Sequence, residues 1–205
     1  MNDGYRQVLS SIASSEPTPG GGSVAALCLA HAHSLAAMVA RLTVANDKWS
    51  DGHAIASMVI EQSDESIRNS LVLANRDAEA FESVMAAYRM SKEEGLHQSR
   101  AEAIREATIG AARVPLETLI LASELIQQLL ELSLACNKNA LTDLASSAEL
   151  AHTAARMAEM NVRVNIDYIE GEDVNDIEHR TNDAMGRCKA ALKDVRTSYR
   201  SRLGW

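Results

Sequence analysis

The stretch from Ser50 to Met90 constrains the fold more than any other part of the sequence, because it contains no proline and a single glycine, Gly52, near its start. Within it, apolar or small side chains recur every seven positions, at Ile60, Ile67, Ala74, Phe81 and Tyr88. A second set follows four residues after three of these, at Leu71, Ala78 and Met85. A sustained spacing of seven is typical of a long helix packed lengthwise against its neighbours. The sequence therefore predicts one long helix here.

Composition extends the helical prediction to the rest of the chain. Of its 205 residues, 46% are hydrophobic but only 3% are aromatic, and there are three prolines and ten glycines. The apolar content lies mainly in Ala, Leu and Met, which favour helices over the strands formed by aromatic and β-branched residues. We expect an all-α fold, with a single domain over residues 1–205 built as a bundle of five to six long helices.

Proline and glycine positions set the expected helix boundaries. Besides the long central helix, we expect helices over about 3–13, 24–44, 92–135, 141–168 and 174–199. Pro115 falls inside the 92–135 segment. Because proline lacks a backbone donor and clashes with the preceding turn, the sequence predicts a kink or break near Arg113-Val114.

The charge balance and the cysteines limit the partners and the compartment. The chain has 28 acidic and 20 basic residues, a net charge of -8, which argues against a nucleic-acid surface and leaves a small molecule or a protein as the expected partner. Cys28, Cys136 and Cys188 are odd in number, far apart and free of C-x-x-C spacing. A reduced, cytoplasmic location is the simplest interpretation.

Neither a targeting segment nor a membrane span is expected. The first six residues lack a basic region followed by an apolar stretch, so they do not resemble a signal peptide. The most apolar segment, residues 24–40, is interrupted by His31, His33 and Ser34 and is rich in alanine. It is too short and too polar for a membrane span and is interpreted as a helix buried in the protein, so no membrane partner is predicted.

The segment from Pro17 to Ser23 is the strongest candidate for a binding site. It contains two prolines and the consecutive glycines Gly20, Gly21 and Gly22. Three glycines are entropically costly to order, and the missing Cβ atoms let a ligand or a second chain approach the backbone closely. Ser23 then opens a helix whose free N–H groups point into the same space. We expect Pro19, Gly20, Gly21, Gly22 and Ser23 to bind substrate; a flexible linker is the alternative.

Asp77 is the candidate catalytic residue. On a helix it lies roughly 60° from the apolar stripe, and Ala74, Ala78 and Phe81 bracket it. Partial desolvation at the margin of an apolar face raises the pKa of a carboxyl group and makes it a usable proton acceptor near neutral pH. The alternative is a boundary aspartate paired with Arg76 or another base.

Polar residues cluster at both ends of the predicted 141–168 helix. Asn137, Asn139 and Asp143 surround its start, whereas Asn161 and Asn165 share a face near its far end. Two amides on one face can grip an amide-rich heterocycle, so all five are candidate substrate-binding residues. The alternatives are a loop and helix cap at the first end and an interhelical hydrogen bond at the second.

Metal-ligand spacings are present but weak. Three acid-x-x-His pairs match the spacing of di-metal bundles, at Glu94-His97, Glu149-His152 and Asp176-His179. About one such pair is expected by chance from this composition, so three is a mild excess. His31 and His33 point to different sides of their helix and cannot chelate together. We expect no metal site.

These residues resemble the formiminotransferase-cyclodeaminase C-terminal domain family, which also includes stand-alone methenyltetrahydrofolate cyclohydrolases. The most specific match is the segment from Glu16 to Ala26. Further matches occur in the family's order at residues 38–43, 77–81, 112–116, 137–144 and 161–166. The resemblance implies an all-helical domain that dimerises, a folate cleft lined by the glycine-rich loop, no metal or organic cofactor, and Asp77 as the catalytic carboxylate.

The resemblance implies an enzyme of folate one-carbon metabolism. The favoured activity is hydrolysis of 5,10-methenyltetrahydrofolate to 10-formyltetrahydrofolate, because the chain lacks a formiminotransferase half. Formiminotetrahydrofolate cyclodeaminase, which releases ammonia, and a non-catalytic folate-binding helical module are the alternatives. With seven aromatic residues in the chain, we expect a pterin pocket to rely on loop amides, asparagines and alanine-lined walls.

Overall fold

The computed structural model describes residues 3–93 and 95–205, and over these ranges the chain is helical without a strand. The helices are α1 (Asp3–Ile12), α2 (Gly21–Val44), α3 (His53–Arg89), α4 (His97–Ala135), α5 (Leu141–Ile166) and α6 (Glu172–Leu203). Short 3₁₀ turns at Asp47–Gly52 and Lys138–Ala140 precede α3 and α5. The prediction of an all-α bundle of five to six helices is confirmed.

The core is built around α2, α4 and α5. α2 packs against α3 and α5, and α4 packs against α3, α5 and α6. α2 contributes mainly alanines, whereas α4 contributes fully buried leucines such as Leu119, Leu129 and Leu132. Small side chains let the helix backbones approach closely, so α2 lies in the middle of the bundle.

The expectation that the α2 segment is too short for a membrane span was wrong. α2 has 24 residues, and its most apolar window has a mean hydropathy of 1.6, which is long and apolar enough to cross a membrane. More than half of that window, 56%, is buried inside the bundle. The interpretation as a buried helix of the core therefore agrees with its packing, whereas the argument from length does not.

α3 is the predicted long helix, but its buried face differs from the predicted stripe. The buried side chains of α3 include Ala56, Val59, Leu73 and Ala74. Phe81 and Tyr88, the last two residues of the stripe, are exposed. Phe81 lines an open cavity instead of the core, and the Tyr88 ring lies against the Arg100 guanidinium at the surface.

α4 runs through Pro115 without a break, which corrects the predicted break. Proline at this position has no N–H to donate to the carbonyl four residues earlier, which belongs to Ala111. The side-chain amide of Asn165, from α5, donates to that carbonyl at 3.0 Å. A neighbouring helix thus satisfies the backbone group that proline leaves free.

Candidate active site

The glycine-rich loop places the start of α2 directly against Asp77. α2 begins at Gly21, after Gly20 in an extended conformation. A Cβ built on Gly22 would overlap the carboxylate of Asp77, whereas one built on Gly21 would meet only the Asn161 amide, at 3.5 Å. Gly22 is therefore required for the approach of α3 to α2 at this point. The sequence predicted a close approach by a ligand or a second chain, whereas the group found against Gly22 is Asp77 of the same chain.

Asp77 caps α2 from a different helix. Gly20, at the N-cap position, has no side chain to accept a hydrogen bond. The Asp77 carboxylate accepts one from the Ser23 hydroxyl at 3.1 Å and one from the Ser23 backbone N–H. An N-cap side chain usually accepts from the third residue of the helix, and Asp77 makes the same contact from α3.

The half-buried position of Asp77 changes its acidity. Burial raises the pKa of the Asp77 carboxyl, and the two hydrogen bonds from Ser23 oppose this effect without cancelling it. Arg76 pairs with Glu117 at 2.8 Å and not with Asp77, so the alternative of an Arg76 pair is not the arrangement found. No ion pair to Asp77 occurs within residues 3–93 and 95–205. Asp77 is therefore a carboxylate without a cationic partner, with a raised pKa.

Ser23 is fully buried, and its hydroxyl lies between two acceptors. The Oγ atom is 2.9 Å from the Ala74 carbonyl oxygen and 3.1 Å from Asp77 Oδ2. The hydroxyl has a single proton to donate, so it divides between these acceptors. This geometry places Ser23 behind Asp77, where it holds the carboxylate.

A cavity of about 380 Å³ opens in front of Asp77. Six of the residues predicted from the sequence line it: Gly20, Gly21, Gly22, Asp77, Asn161 and Asn165. Pro19 and Ser23 border a neighbouring groove of about 520 Å³ between α1 and α3. The loop thus lies between two openings, and Thr18 lines both of them.

The cavity also contains residues that the sequence did not single out as site residues. Phe81 and Val84 lie four and seven residues after Asp77, and Ala111 and Val164 contribute from α4 and α5. The spacing of four and seven from a candidate base on one helix face was the available signal for the first two. Among the residues that the structure describes, Phe81 is the one aromatic residue in the lining, and no Lys, Arg or His lines the cavity.

Asn161 and Asn165 meet in this cavity, as their spacing predicts. The Asn161 Nδ2 atom donates to the Met157 carbonyl oxygen at 2.8 Å. The Asn165 Nδ2 atom donates to the carbonyl oxygens of Ala111 and Asn161 at 3.0 and 2.8 Å. Of the predicted alternatives, an interhelical hydrogen bond is present, from Asn165 to α4, and the two amides also face the cavity.

The structure does not bring Asn137, Asn139 and Asp143 to this cavity within one chain. Asn137 donates from Nδ2 to the Leu42 carbonyl oxygen at the last turn of α2 and accepts from the Asn139 N–H, both at 3.0 Å. The distance along α2 from Gly22 to Leu42 is about 30 Å at 1.5 Å per residue. The hydrogen-bonding groups of Asn137 are used to cap backbone, so the predicted alternative of a loop and cap describes its contacts.

No group of three or more His, Cys, Asp and Glu side chains that could hold a metal ion occurs in the described part of the chain. Glu94, of the Glu94-His97 pair, lies outside the described residues. Glu149 makes a bidentate pair with Arg196, with both distances at 2.7 Å, and Asp176 lies 3.6 Å from Arg180. The carboxylates of the other two pairs are therefore engaged by arginines.

Residues 4–183 match the formiminotransferase-cyclodeaminase family. The chain belongs to this family. It is also 34% identical over 166 residues to the methenyltetrahydrofolate cyclohydrolase of Methylorubrum extorquens, which covers 80% of this chain and 79% of that protein. The family assignment and the enzyme class predicted from the sequence are confirmed.

Two further relatives carry the name of the second family activity. The formimidoyltransferase-cyclodeaminase of Rattus norvegicus is 26% identical over 204 residues. The matched region covers 98% of this chain but 38% of the rat protein. The crystal structure of formiminotetrahydrofolate cyclodeaminase from Thermotoga maritima is 26% identical, with a TM-score of 0.88 over 98% of this chain and 96% of that chain. The family fold thus extends over nearly the whole chain.

Proposed function

We propose that this protein hydrolyses 5,10-methenyltetrahydrofolate to 10-formyltetrahydrofolate. The observation that carries the proposal is Asp77, a half-buried carboxylate with a raised pKa that faces a cavity and has no cationic partner. The relative of 34% identity is named for this reaction. A carboxylate in such a position can take and return a proton near neutral pH.

The reaction needs one proton acceptor that acts twice. The substrate carries a methenyl carbon between N5 and N10 as an amidinium cation. Water forms a bond to this carbon while the Asp77 carboxylate takes one water proton, which gives a neutral tetrahedral adduct. The adduct then loses its hydroxyl proton, forms the formyl C=O, and breaks the bond from carbon to N5. N5 receives the proton from Asp77, and one proton in total is released to solvent.

The charges around the cavity suit this substrate. The substrate head is cationic, and within residues 3–93 and 95–205 the only ionisable side chain in the lining is Asp77. An anionic Asp77 stabilises the amidinium cation and the transition state that leads from it. In this proposal the backbone of Gly20 to Gly22 and the amides of Asn161 and Asn165 hold the pterin, because Phe81 is the single aromatic residue of the described lining that is present for stacking.

The remaining features of the proposal concern partners and location. We infer a cytoplasmic homodimer that uses no metal or organic cofactor and binds neither nucleic acid nor membrane. A dimer is supported by large apolar side chains that remain exposed on α1, α2 and α3, including Leu9, Met38, Leu42 and Leu71. The net charge of -8 supports the absence of a nucleic-acid partner.

The test follows the methenyl absorbance with two substrates. Purified protein should consume 5,10-methenyltetrahydrofolate and should not form it from 5-formiminotetrahydrofolate. Asp77→Asn should lower the hydrolysis rate by about 10²- to 10⁴-fold while the thermal unfolding midpoint shows that the protein is folded. The same preparation should sediment at twice the 22.2 kDa chain mass and contain no stoichiometric metal.

The two alternatives give different results in this assay. The cyclodeaminase reaction, in which N10 attacks the formimino carbon and ammonia leaves, is favoured by the structural match to the Thermotoga maritima enzyme. It would appear as formation of methenyltetrahydrofolate from the formimino compound. A non-catalytic folate-binding module would bind tetrahydrofolate without turnover of either substrate, and Asp77→Asn would then change no rate.

A further inference from the structure

The polarity of the cavity wall formed by α5 is fixed by a proline on α4. Pro115 leaves the Ala111 carbonyl without its helical donor. The Asn165 Nδ2 atom donates to this carbonyl and to the carbonyl of Asn161, at 3.0 and 2.8 Å. Because a carbonyl oxygen accepts and never donates, the NH₂ end of Asn165 must point at these two atoms. Both of its N–H groups are then used inside the protein.

Asn161 is oriented in the same way. Its Nδ2 atom donates to the Met157 carbonyl oxygen at 2.8 Å. The side chain lies against Gly21, where a Cβ would be 3.5 Å from Nδ2. The amide therefore sits beside the start of α2 and at the wall of the cavity.

The two amide oxygens are left for a ligand. Neither Asn161 Oδ1 nor Asn165 Oδ1 accepts a hydrogen bond from a protein group in the ranges that the structure describes, and both residues line the cavity in front of Asp77. Among the described residues, no Lys, Arg or His side chain lines it. The wall therefore offers two amide oxygens as acceptors and one amide N–H group, the second of Asn161, and the nearby charge is negative.

We propose that the side-chain oxygens of Asn161 and Asn165 form a pair of acceptors that binds the N–H edge of the pterin ring. This inference rests on the proposed folate substrate. The pyrimidine part of a pterin presents two adjacent donors, the N3–H group and the 2-amino group, which match two neighbouring acceptors. A site built to accept hydrogen bonds discriminates strongly against an analogue that lacks the donor, because its buried acceptors are then unpaired.

The test measures binding and not turnover. The probes are tetrahydrofolate and its 2-desamino-2-methyl counterpart, neither of which carries the one-carbon bridge. With the unmodified protein, calorimetry should give a dissociation constant about 10- to 100-fold higher for the analogue, which corresponds to one lost hydrogen bond and one unpaired acceptor. Equal affinities for the two probes would overturn the proposal.

Variants assign the effect to the amide pair. In Asn161→Ala or Asn165→Ala, tetrahydrofolate should bind about 10-fold more weakly while the analogue loses little, so discrimination falls in at least one of them. Val164→Ala, in the same wall, is the matched control and should leave the discrimination ratio unchanged. Full discrimination in both asparagine variants would refute the assignment, and the measurement on the unmodified protein stands even if a variant fails to fold.

The outcome is separable from that of the proposed reaction. Hydrolysis of methenyltetrahydrofolate together with equal affinity for both probes would refute the role of the amide pair and support the proposed reaction. Discrimination between the probes without turnover would support the role of the amide pair and refute the proposed reaction.

Discussion

At each end of α2 a glycine lies where no side chain fits and an asparagine lies against the helix terminus. At the start, which we call the loop end, these residues are Gly22 and Asn161, beside Asp77. At the finish, the turn end, they are Gly52 and Asn137, and a Cβ on Gly52 would be 2.6 Å from the Ala135 carbonyl oxygen. The residue types are the same, but their hydrogen bonds differ.

At the turn end the polar groups are used on the protein itself. Asn137 bonds to the Leu42 carbonyl and to the Asn139 N–H, and its own N–H donates to Thr43 Oγ1 at 3.0 Å. Arg202 donates to the carbonyl oxygens of Ser133 and Cys136, both at 2.7 Å, at the end of α4. These contacts satisfy the carbonyls that every helix leaves free at its end.

At the loop end some hydrogen-bond acceptors have no protein donor among the described residues. The oxygens of Asn161 and Asn165 accept no hydrogen bond from a protein group in the described ranges, and Asp77 has no cation beside it. Unused acceptors beside a cavity cost stability unless water or a ligand binds them. The comparison teaches that the balance of hydrogen bonds, and not the residue type, separates the proposed binding end from the structural end.

The largest expected effect comes from filling the space at Gly22. In Gly22→Ala the new Cβ would overlap the Asp77 carboxylate, so either Asp77 or the start of α2 must move. Displacement of Asp77, the proposed general base, predicts a fall in kcat of about 10²-fold or more. Gly21→Ala is the matched control, since its Cβ would meet the Asn161 amide at 3.5 Å, an ordinary contact. Steady-state hydrolysis rates of the two folded variants check the prediction, which fails if they are equal.

The next effect tests the turn end. Asn137→Ala removes the bonds to Leu42 and Asn139 and should lower the free energy of unfolding by about 1–2 kcal/mol, the usual cost of a lost cap. The kcat and KM of the folded protein should not change, because Asn137 lies about 30 Å along α2 from the cavity. Urea unfolding and substrate kinetics provide the two measurements. An increase in KM without loss of stability would instead indicate that Asn137 binds substrate, as the sequence predicted.

The sequence predicts more of the loop end than of the turn end. The carbonyl that Pro115 leaves free shows which contacts the sequence does not predict. Spacing alone places Asn161 and Asn165 on one face and Asp77 at the margin of the α3 stripe. The contact from Asn165 to the Ala111 carbonyl joins residues 54 positions apart, and local periodicity carries no information about such contacts. The same holds for Asn137, whose partner Leu42 is 95 positions away. A polar residue after a helix indicates either a cap or a ligand, and the partner decides which.

The smallest effect concerns Ser23, which supports Asp77 without facing the cavity. The Ser23 hydroxyl and N–H donate to the carboxylate and lower the pKa of Asp77, while burial raises it by more. Ser23→Ala removes the hydroxyl and keeps the N–H, so the pKa of Asp77 should rise further. In the proposed mechanism the carboxylate is the active form, so hydrolysis should be lost as pH falls through this pKa, and the acid limb of kcat/KM should move to higher pH.

A stability measurement gives the same sign independently. A carboxyl group with a raised pKa binds its proton more tightly in the folded than in the unfolded protein, so its contribution to stability decreases as pH rises through that pKa. In Ser23→Ala this decrease should be larger and should extend to a higher pH, because the folded-state pKa rises while the unfolded-state pKa is unchanged. The kcat/KM above the acid limb should fall by less than about fivefold, since one hydrogen bond contributes about 1 kcal/mol. Ser147→Ala is the matched control, because Ser147 is also fully buried and its hydroxyl donates to the Ala32 carbonyl oxygen. That variant should lose stability without moving the limb. If the acid limb does not move in Ser23→Ala, the Ser23 hydroxyl donates to the Ala74 carbonyl and not to Asp77. Asp77 then accepts a hydrogen bond from the Ser23 backbone N–H alone.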